Sequence, residues 1–352
     1  MMKGYAMMGI GKTQWIEKEK PTCGYRDAII RPLAVAICIS DVHTVWGGAI
    51  GDRKNLILGH EAVGEVVEVG SLVIDFKIGD KVLIPSVTPN WSSIEAQMGY
   101  PSNSNGMNAG WEFSNIKDGV YADFFHINDA DGNLAILPKN MTYAEGCMLS
   151  DMIPTAFLGA EIADIQYGDC VVIIGIGCVG LLAIAASKLR GAGRIIVVGC
   201  HKKYIDVAKM YGATDFIDDI DGDITNEVFD LTNKKCVDKV IICGGKSKIF
   251  KDAINIVRAG GIISNVNYID DGEFIEIPRL AYGVGMGHKA IYGTLMPGGR
   301  YKTEKYANLL SFNRIDVNPI FSSIEYGWDN LEKGLLSIKE KPSENIKPVI
   351  IL

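Results

Sequence analysis

The pattern of apolar and polar positions changes character near residue 155. Before it, short β-branched runs such as Ala28-Ile-Ile-Arg, Glu65-Val-Val-Glu-Val and Lys81-Val-Leu-Ile-Pro alternate with Gly- and Asp-rich turns, and no strand–helix alternation repeats. Residues 1–154 therefore read as an irregular, mainly antiparallel β domain. Residues 155–295 carry apolar runs at Val171–Ile174, Arg194–Val198, Asp215–Ile217, Val237–Ile242 and Gly261–Val266, with helical stretches between them. That alternation predicts an α/β domain with a doubly wound parallel sheet. After it come a helix over Thr303–Phe312, a strand-like patch around Phe321, a helix over Asn330–Lys339 and a terminal strand, Lys347–Leu352. Residues 296–352 are too few for a third domain, so they are expected to return to the first, leaving 155–295 as an insertion.

The most informative stretch is Val171 to Gly180. Four apolar residues read as a buried strand, Gly175, Gly177 and Gly180 form G-x-G-x-x-G, and an apolar helical run follows to Leu189. In a dinucleotide fold the first glycine permits the tight turn. The second lets backbone approach a pyrophosphate, and the third lets helix pack closely on strand. The anion would rest on the helix N-terminus, where unpaired N–H groups and the dipole favour negative charge. A Gly-rich turn by itself serves many folds; the strand before it and the helix after it favour a nucleotide site.

Composition narrows the classes. A chain of 352 residues suits two domains, and a net charge of −7 without a long Lys/Arg cluster offers no footprint for nucleic acid. The uncharged run Cys170–Ser187 approaches membrane-spanning length, but its three glycines and its change of period favour a buried βα unit. The start, Met1-Met-Lys-Gly-Tyr-Ala, lacks the apolar core of a signal peptide. The eight cysteines are scattered, with no C-x-x-C pair, and are expected as reduced thiols of a cytoplasmic protein.

Candidate metal chemistry lies in the first domain. Cys38, Gly59-His60-Glu61 and Asp151 offer a soft thiolate, an imidazole and a carboxylate, a set suited to zinc with an open fourth position. Glu61 could fill that position or act from behind it. At such long spacing, buried structural roles for Cys38 and His60 are the commoner alternative.

The run Leu58-Gly-His-Glu-Ala-Val-Gly-Glu-Val-Val-Glu-Val-Gly70 resembles the signature of zinc-containing medium-chain alcohol dehydrogenases. Further segments resemble the NADP-dependent secondary alcohol dehydrogenases of anaerobic bacteria and protists. They are Arg31-Pro-Leu-Ala-Val-Ala, Ser40-Asp-Val-His-Thr-Val45, Gly110-Trp-Glu-Phe-Ser-Asn115, Lys117-Asp-Gly-Val, Phe125-His-Ile-Asn-Asp-Ala-Asp131, Gly191-Ala-Gly-Arg-Ile-Ile, Met286-Gly-His-Lys289 and Ile346-Lys-Pro-Val. The resemblance runs end to end. It implies a GroES-like catalytic domain beside a Rossmann domain, and zinc held by Cys38, His60 and Asp151 with Glu61 as exchangeable fourth ligand. Relatives often carry four cysteines for a structural zinc near residues 85–110; this chain has none there, so one zinc per subunit is expected.

The same resemblance implies interconversion of short secondary alcohols and ketones, such as 2-propanol and acetone. Ser40 would take the alcohol's proton and His43 would relay it, although Ser40 could instead cap a helix starting near Asp41. Ile50, Trp111 and Leu295 would wall the substrate pocket. Ile176, Cys178, Val179, Val266, Asn267, Tyr268 and Lys341 would join the three glycines against the cofactor. His126 and His288 are expected in structural hydrogen bonds, and a homotetramer is implied. A zinc-free quinone-type reductase on the same fold is the rival, but it would lack the Cys38/His60/Asp151 set.

Cofactor choice can be read near the end of the second parallel strand. NAD-specific folds place an acid about 20 residues after the glycines to bind the ribose 2′-OH. Here Gly199 stands there, followed by Cys200, His201, Lys202 and Lys203, which favours NADP. Relatives have Ser-Arg in place of Cys200-His201 and a tyrosine in place of Asp219. Loss of a bidentate, always-charged Arg should weaken 2′-phosphate recognition, so NAD remains an alternative.

Overall fold

In the computed structural model, all residues are described except Cys200, His201, Asp219, Ile220, Asp221, Lys341, Pro342 and Ser343. The chain divides into two compact units, Met1–Pro154 with Met296–Leu352, and Thr155–Leu295.

The first unit is built on antiparallel pairing. Its larger sheet runs Phe321–Tyr326, Lys347–Ile351, Ala28–Ala36, Glu61–Val69, Lys81–Ile84, Ala135–Ile136, with Phe125–Ile127 also paired to Ala28–Ala36. A three-stranded sheet of Lys12–Lys18, Met2–Gly9 and Leu56–Ile57 completes it. One core holds both, with Tyr5, Met7, Ile30, Ile57, Phe113, Tyr121 and Phe125 fully enclosed. The terminal strand enters this sheet by pairing Val349 with Ala36, so residues near the end of the chain lie beside residues near its start. The long connecting run Val87–Gly110 contains two short helical turns, Ile94–Gln97 and Pro101–Asn103.

The second unit is a six-stranded parallel sheet ordered Asp215–Ile217, Arg194–Val198, Cys170–Ile174, Val237–Ile242, Val257–Asn265, Ala290–Gly293. The strand that comes first along the chain, Cys170–Ile174, sits in the middle and the order reverses there, which is the doubly wound arrangement. Strand Ala290–Gly293 escaped the sequence reading: its AIYG run is short and follows an irregular segment with only a short 3-10 turn, Gly283–Gly285, before it. Cys170–Ser187 folds as the expected strand and helix, Cys170–Ile174 then Cys178–Leu189. Among the described residues no helix is long and apolar enough to cross a membrane.

Candidate active site

Strand register assembles the metal-type cluster. Ala36 pairs with Glu61, so Cys38, two residues past one strand, meets His60, one residue before its neighbour. Cys38 also begins the helix Ile39–Val45, which carries Ser40, Asp41 and His43. Ser40 is not its cap: Cys38 occupies the N-cap position, and its N–H donates to Asp41 Oδ2 at 3.1 Å. Asp151 is brought in by Ser150, whose hydroxyl donates to the Ala62 carbonyl and accepts the Ala62 N–H, both at 3.1 Å. Donor atoms of Cys38, His60, Glu61 and Asp151 all lie within 4.8 Å of one another.

Gly59 shows why a glycine precedes His60. Its φ is +88°, and a Cβ there would stand 2.3 Å from the Tyr121 ring. Tyr121 is fully buried and donates to Asp41 Oδ2 at 2.7 Å and to the Ala36 carbonyl at 3.0 Å. Asp41 Oδ1 faces His60 Nδ1 at 3.4 Å, which leaves Nε2 turned toward Asp151 Oδ2 at 3.6 Å and Glu61 Oε1 at 3.7 Å. A carboxylate behind an imidazole fixes its tautomer and raises its basicity as a ligand. Ser40 Oγ lies 3.2 Å from the same Nε2.

The electrostatics call for a cation. Burial disfavours the imidazolium, yet Asp41, together with hydrogen bonds the ring can give to Asp151 and Cys38, pushes His60 well above the ordinary histidine range. Burial raises the Glu61 carboxyl, and Lys347 opposes it through a 2.5 Å contact between two fully buried side chains. Asp41 would be raised by burial too, but His60, Tyr121 and the Cys38 N–H hold it low. Glu61 Oε2 is buried without a hydrogen-bond partner. A thiol, an imidazole and two carboxylates converging on one point, with an unsatisfied oxygen among them, fit zinc. Zinc binds such donors at about 2.0–2.3 Å.

Asp41, Tyr121 and Lys347 were not singled out as site residues from the sequence. Lys347 left one signal, a lone cation inside the apolar terminal run KPVII. His43 is half-buried on the Ser40 helix, and Ile50 is half-buried, its carbonyl accepting from Arg53 Nε at 3.1 Å. Trp111 is half-buried with its ring edge-on to His60, centroids 6.4 Å apart. Leu295, half-buried, closes the second unit just after its last strand. His126 bonds Asp27 at 2.9 Å, whereas His288 is exposed.

In the second unit the glycine turn has a distinct job at each position. Gly175 has φ +89°, and a Cβ would lie 2.5 Å from the Gly244 Cα. A Cβ on Gly180 would strike the Gly175 carbonyl at 2.1 Å, whereas Gly177, at the N-cap of Cys178–Leu189, has nothing within 4 Å. The turn is thus tight on two sides and open at the one where a pyrophosphate would approach. Ile176 and Cys178 are buried and Val179 half-buried. Val266 N–H donates to the Ile242 carbonyl at 3.0 Å, Asn267 Nδ2 donates to Gly245 O at 2.8 Å, and Tyr268 is 53 % exposed beside them. Gly199 ends the second strand, its N–H donating to Ile217 O at 2.8 Å. Cys200, His201, Asp219 and Lys341 lie outside the described residues.

A GroES-like alcohol dehydrogenase domain matches residues 24–139, and a zinc-binding dehydrogenase domain matches residues 178–312. The chain is 55 % identical to the NADP-dependent isopropanol dehydrogenase of Clostridium beijerinckii and 54 % identical to that of Thermoanaerobacter brockii, with 100 % of both chains covered each time. It is 51 % identical to the NADP-dependent isopropanol dehydrogenase of Entamoeba histolytica, over 99 % of this chain and 95 % of that one. A solved zinc-dependent alcohol dehydrogenase 2 from Streptococcus pneumonia shares the fold, with a TM-score of 0.89 at 24 % identity over 100 % of this chain and 98 % of that one. The chain belongs to the zinc-binding alcohol dehydrogenase family. It is an enzyme, an oxidoreductase, as the Leu58–Gly70 signature led one to expect.

Proposed function

We propose that this enzyme interconverts short secondary alcohols, 2-propanol among them, with their ketones, using NADP(H). The observation that carries this is the convergence of Cys38, His60, Glu61 and Asp151, with Ser40 Oγ 3.2 Å from His60 Nε2.

Cys38, His60 and Asp151 would hold the zinc, with Glu61 as the carboxylate able to take or leave a fourth position. When bound, zinc supplies a Lewis acid that loosens an alcohol's proton, and the nicotinamide supplies a hydride acceptor. Asp41 keeps the Nδ1 side of His60 engaged, so that Nε2 is the ligand atom. Ser40 Oγ takes the alcohol's proton, and His43, one helical turn further along the same face, carries it outward. In ketone reduction the same two groups return it. Ile50 and Trp111 would wall the space for two short alkyl groups, which favours small substrates. Lys347 neutralises Glu61, so the carboxylate can remain buried without a metal bond.

For the cofactor, the Gly175–Gly180 turn would receive the pyrophosphate, with Val266, Asn267 and Tyr268 beside the dinucleotide. Gly199 leaves room for a 2′-phosphate, and Lys202 and Lys203 lie next along the chain. His201 in place of an arginine makes the NADP preference moderate. The exposed Phe274, Leu280 and Met286, which precede edge strand Ala290–Gly293, suit self-association, and we read the enzyme as a cytoplasmic homotetramer.

A spectrophotometric assay of 2-propanol and acetone with NADP(H) and NAD(H), before and after zinc chelation, tests the proposal. Turnover that prefers NADP and falls away on chelation is expected. Full activity in metal-free protein, or no turnover of either substrate by loaded enzyme, would defeat it.

A further inference from the structure

Three of the sequence segments singled out above, Gly110–Asn115, Lys117–Val120 and Phe125–Asp131, contribute only Trp111 to the site. Their polar residues nevertheless meet at one atom. Lys117 Nζ lies 2.8 Å from the Glu112 carboxylate, donates to Asn128 Oδ1 at 2.8 Å and to Thr88 Oγ1 at 3.5 Å, and sits 4.7 Å from the Phe113 ring centroid. Its side chain is only 21 % exposed. An ammonium withdrawn from water is costly unless its protons are satisfied, and here oxygens and an aromatic face satisfy them.

This cation closes the turn that follows Trp111. The Glu112 carbonyl accepts N–H groups from Asn115, Ile116 and Lys117 at 3.2, 2.9 and 3.0 Å. Ser114 holds φ at 51° inside that turn, and Asn115 Nδ2 donates back to the Trp111 carbonyl at 3.1 Å. The other end of the long loop joins the same point. Asn128 Nδ2 donates to the Thr88 carbonyl at 2.9 Å, and Thr88 N–H donates to the Gly110 carbonyl at 3.0 Å. A run of this length with little secondary structure of its own needs such a fastening to hold one conformation.

We propose that Lys117 is a positioning residue for substrate selection: bonded to Glu112, Asn128 and Thr88, it fixes the turn that carries Trp111 and so sets where the indole stands beside His60. The inference rests on Trp111 being a substrate wall, as proposed above. Lys117 lies outside the Cys38/His60/Glu61/Asp151 cluster, and its effect passes through the backbone of Trp111 and Glu112.

The test uses zinc-loaded enzyme containing 5-fluorotryptophan, with the Trp111 ¹⁹F resonance assigned by its loss in Trp111→Phe. Lys117→Met is expected to shift or broaden that resonance while Trp15 and Trp328 stay in place. The ratio of kcat/KM for 2-pentanol over 2-propanol should change about tenfold, mainly through KM. Lys117→Arg, which keeps the charge, should recover part of both signals. If Lys117→Met does not fold, Asn128→Ala removes one partner of the same ammonium and should move both readouts in the same direction by less. A Trp111 resonance and a selectivity ratio unchanged from wild type in the folded variants would overturn the proposal. If Trp111→Ala itself leaves selectivity unchanged, the substrate-wall role fails. In that event selection by Lys117 fails with it, and the resonance alone decides whether Lys117 positions the indole.

Discussion

In the Thr155–Leu295 unit the part of the candidate cofactor site that would take the pyrophosphate is one turn, Gly175 to Gly180, whose residues need only their immediate neighbours and Gly244 to take shape. In the other unit the donors are spread from residue 38 to residue 151, and the cation that balances one of them comes from residue 347. The first kind of site is local geometry: a strand ends, a left-handed glycine turns the chain, and a helix begins. The second exists only once strands Ala28–Ala36, Glu61–Val69 and Lys347–Ile351 have paired in register. A slip of one residue in either pairing would turn Cys38 or Lys347 to the opposite face. Defects should therefore act differently in the two units, local in one and cooperative in the other.

The largest contrast is expected at the metal donors. Cys38→Ser should cut kcat/KM by about a thousandfold, on the scale of the several kcal/mol a Lewis acid contributes. Bound zinc, measured by metal analysis, should fall with it, while dinucleotide affinity measured by fluorescence titration stays near wild type. Loss of both together would erase the proposed division between the units.

Next comes Lys347→Met, which strands the buried Glu61 carboxylate. Removing one partner of a buried ion pair costs about 3–5 kcal/mol, so the denaturation midpoint should drop steeply. Lys347→Met combined with Glu61→Gln should recover much of the loss, because no charge is then left unpaired. A double variant no more stable than the single one would break the pairing argument.

Within the glycine turn the effects should separate. Gly180→Ala pushes a methyl against the Gly175 carbonyl and should lower both stability and cofactor affinity. Gly177→Ala meets open space and should spare stability while raising the cofactor KM about tenfold. Equal melting losses in the two variants would show that Gly177 is structural rather than ligand-facing.

The smallest effect should come from pH. The Arg194 guanidinium, bonded to both oxygens of Asp215, holds that carboxyl below its ordinary range. A lowered carboxyl stabilises the fold above its unfolded pKa of about 3.9, and that contribution disappears as pH falls through the folded value. Thermal melts should thus show Asp215→Asn less stable than wild type at pH 6, with the gap closing below about pH 4. A gap that widens toward acid would contradict the pairing.

The legibility of the molecule follows the same division. The central parallel strands were readable because Cys170–Ile174 and Arg194–Val198 are almost wholly apolar and buried past their first residues, and Cys170–Ile174 with Cys178–Leu189 stands where the motif put it. The edge strand Ala290–Gly293 was not, since its residues are half-buried or exposed and its period is indistinct. In the first unit, residue chemistry raised a zinc site at Cys38, His60 and Asp151 but left buried structural roles open; family resemblance decided for the metal. Asp41, Tyr121, Lys347 and Lys117 stayed hidden because what marks them is a partner, and a partner distant in sequence leaves no local trace.

The order of residues, by itself, settled the change of period near 155, the glycine turn between strand and helix, and the set of side-chain chemistries available to a metal. Those are properties of neighbours along the chain, where steric limits on backbone angles and the two- or 3.6-residue repeat of burial act directly. Which donors face one another, which carboxylate stands behind His60, and which cation balances Glu61 were decided only by sheet register and by the closing of the terminal strand. Electrostatic pairing depends on distance through space, and that distance is not written between adjacent residues.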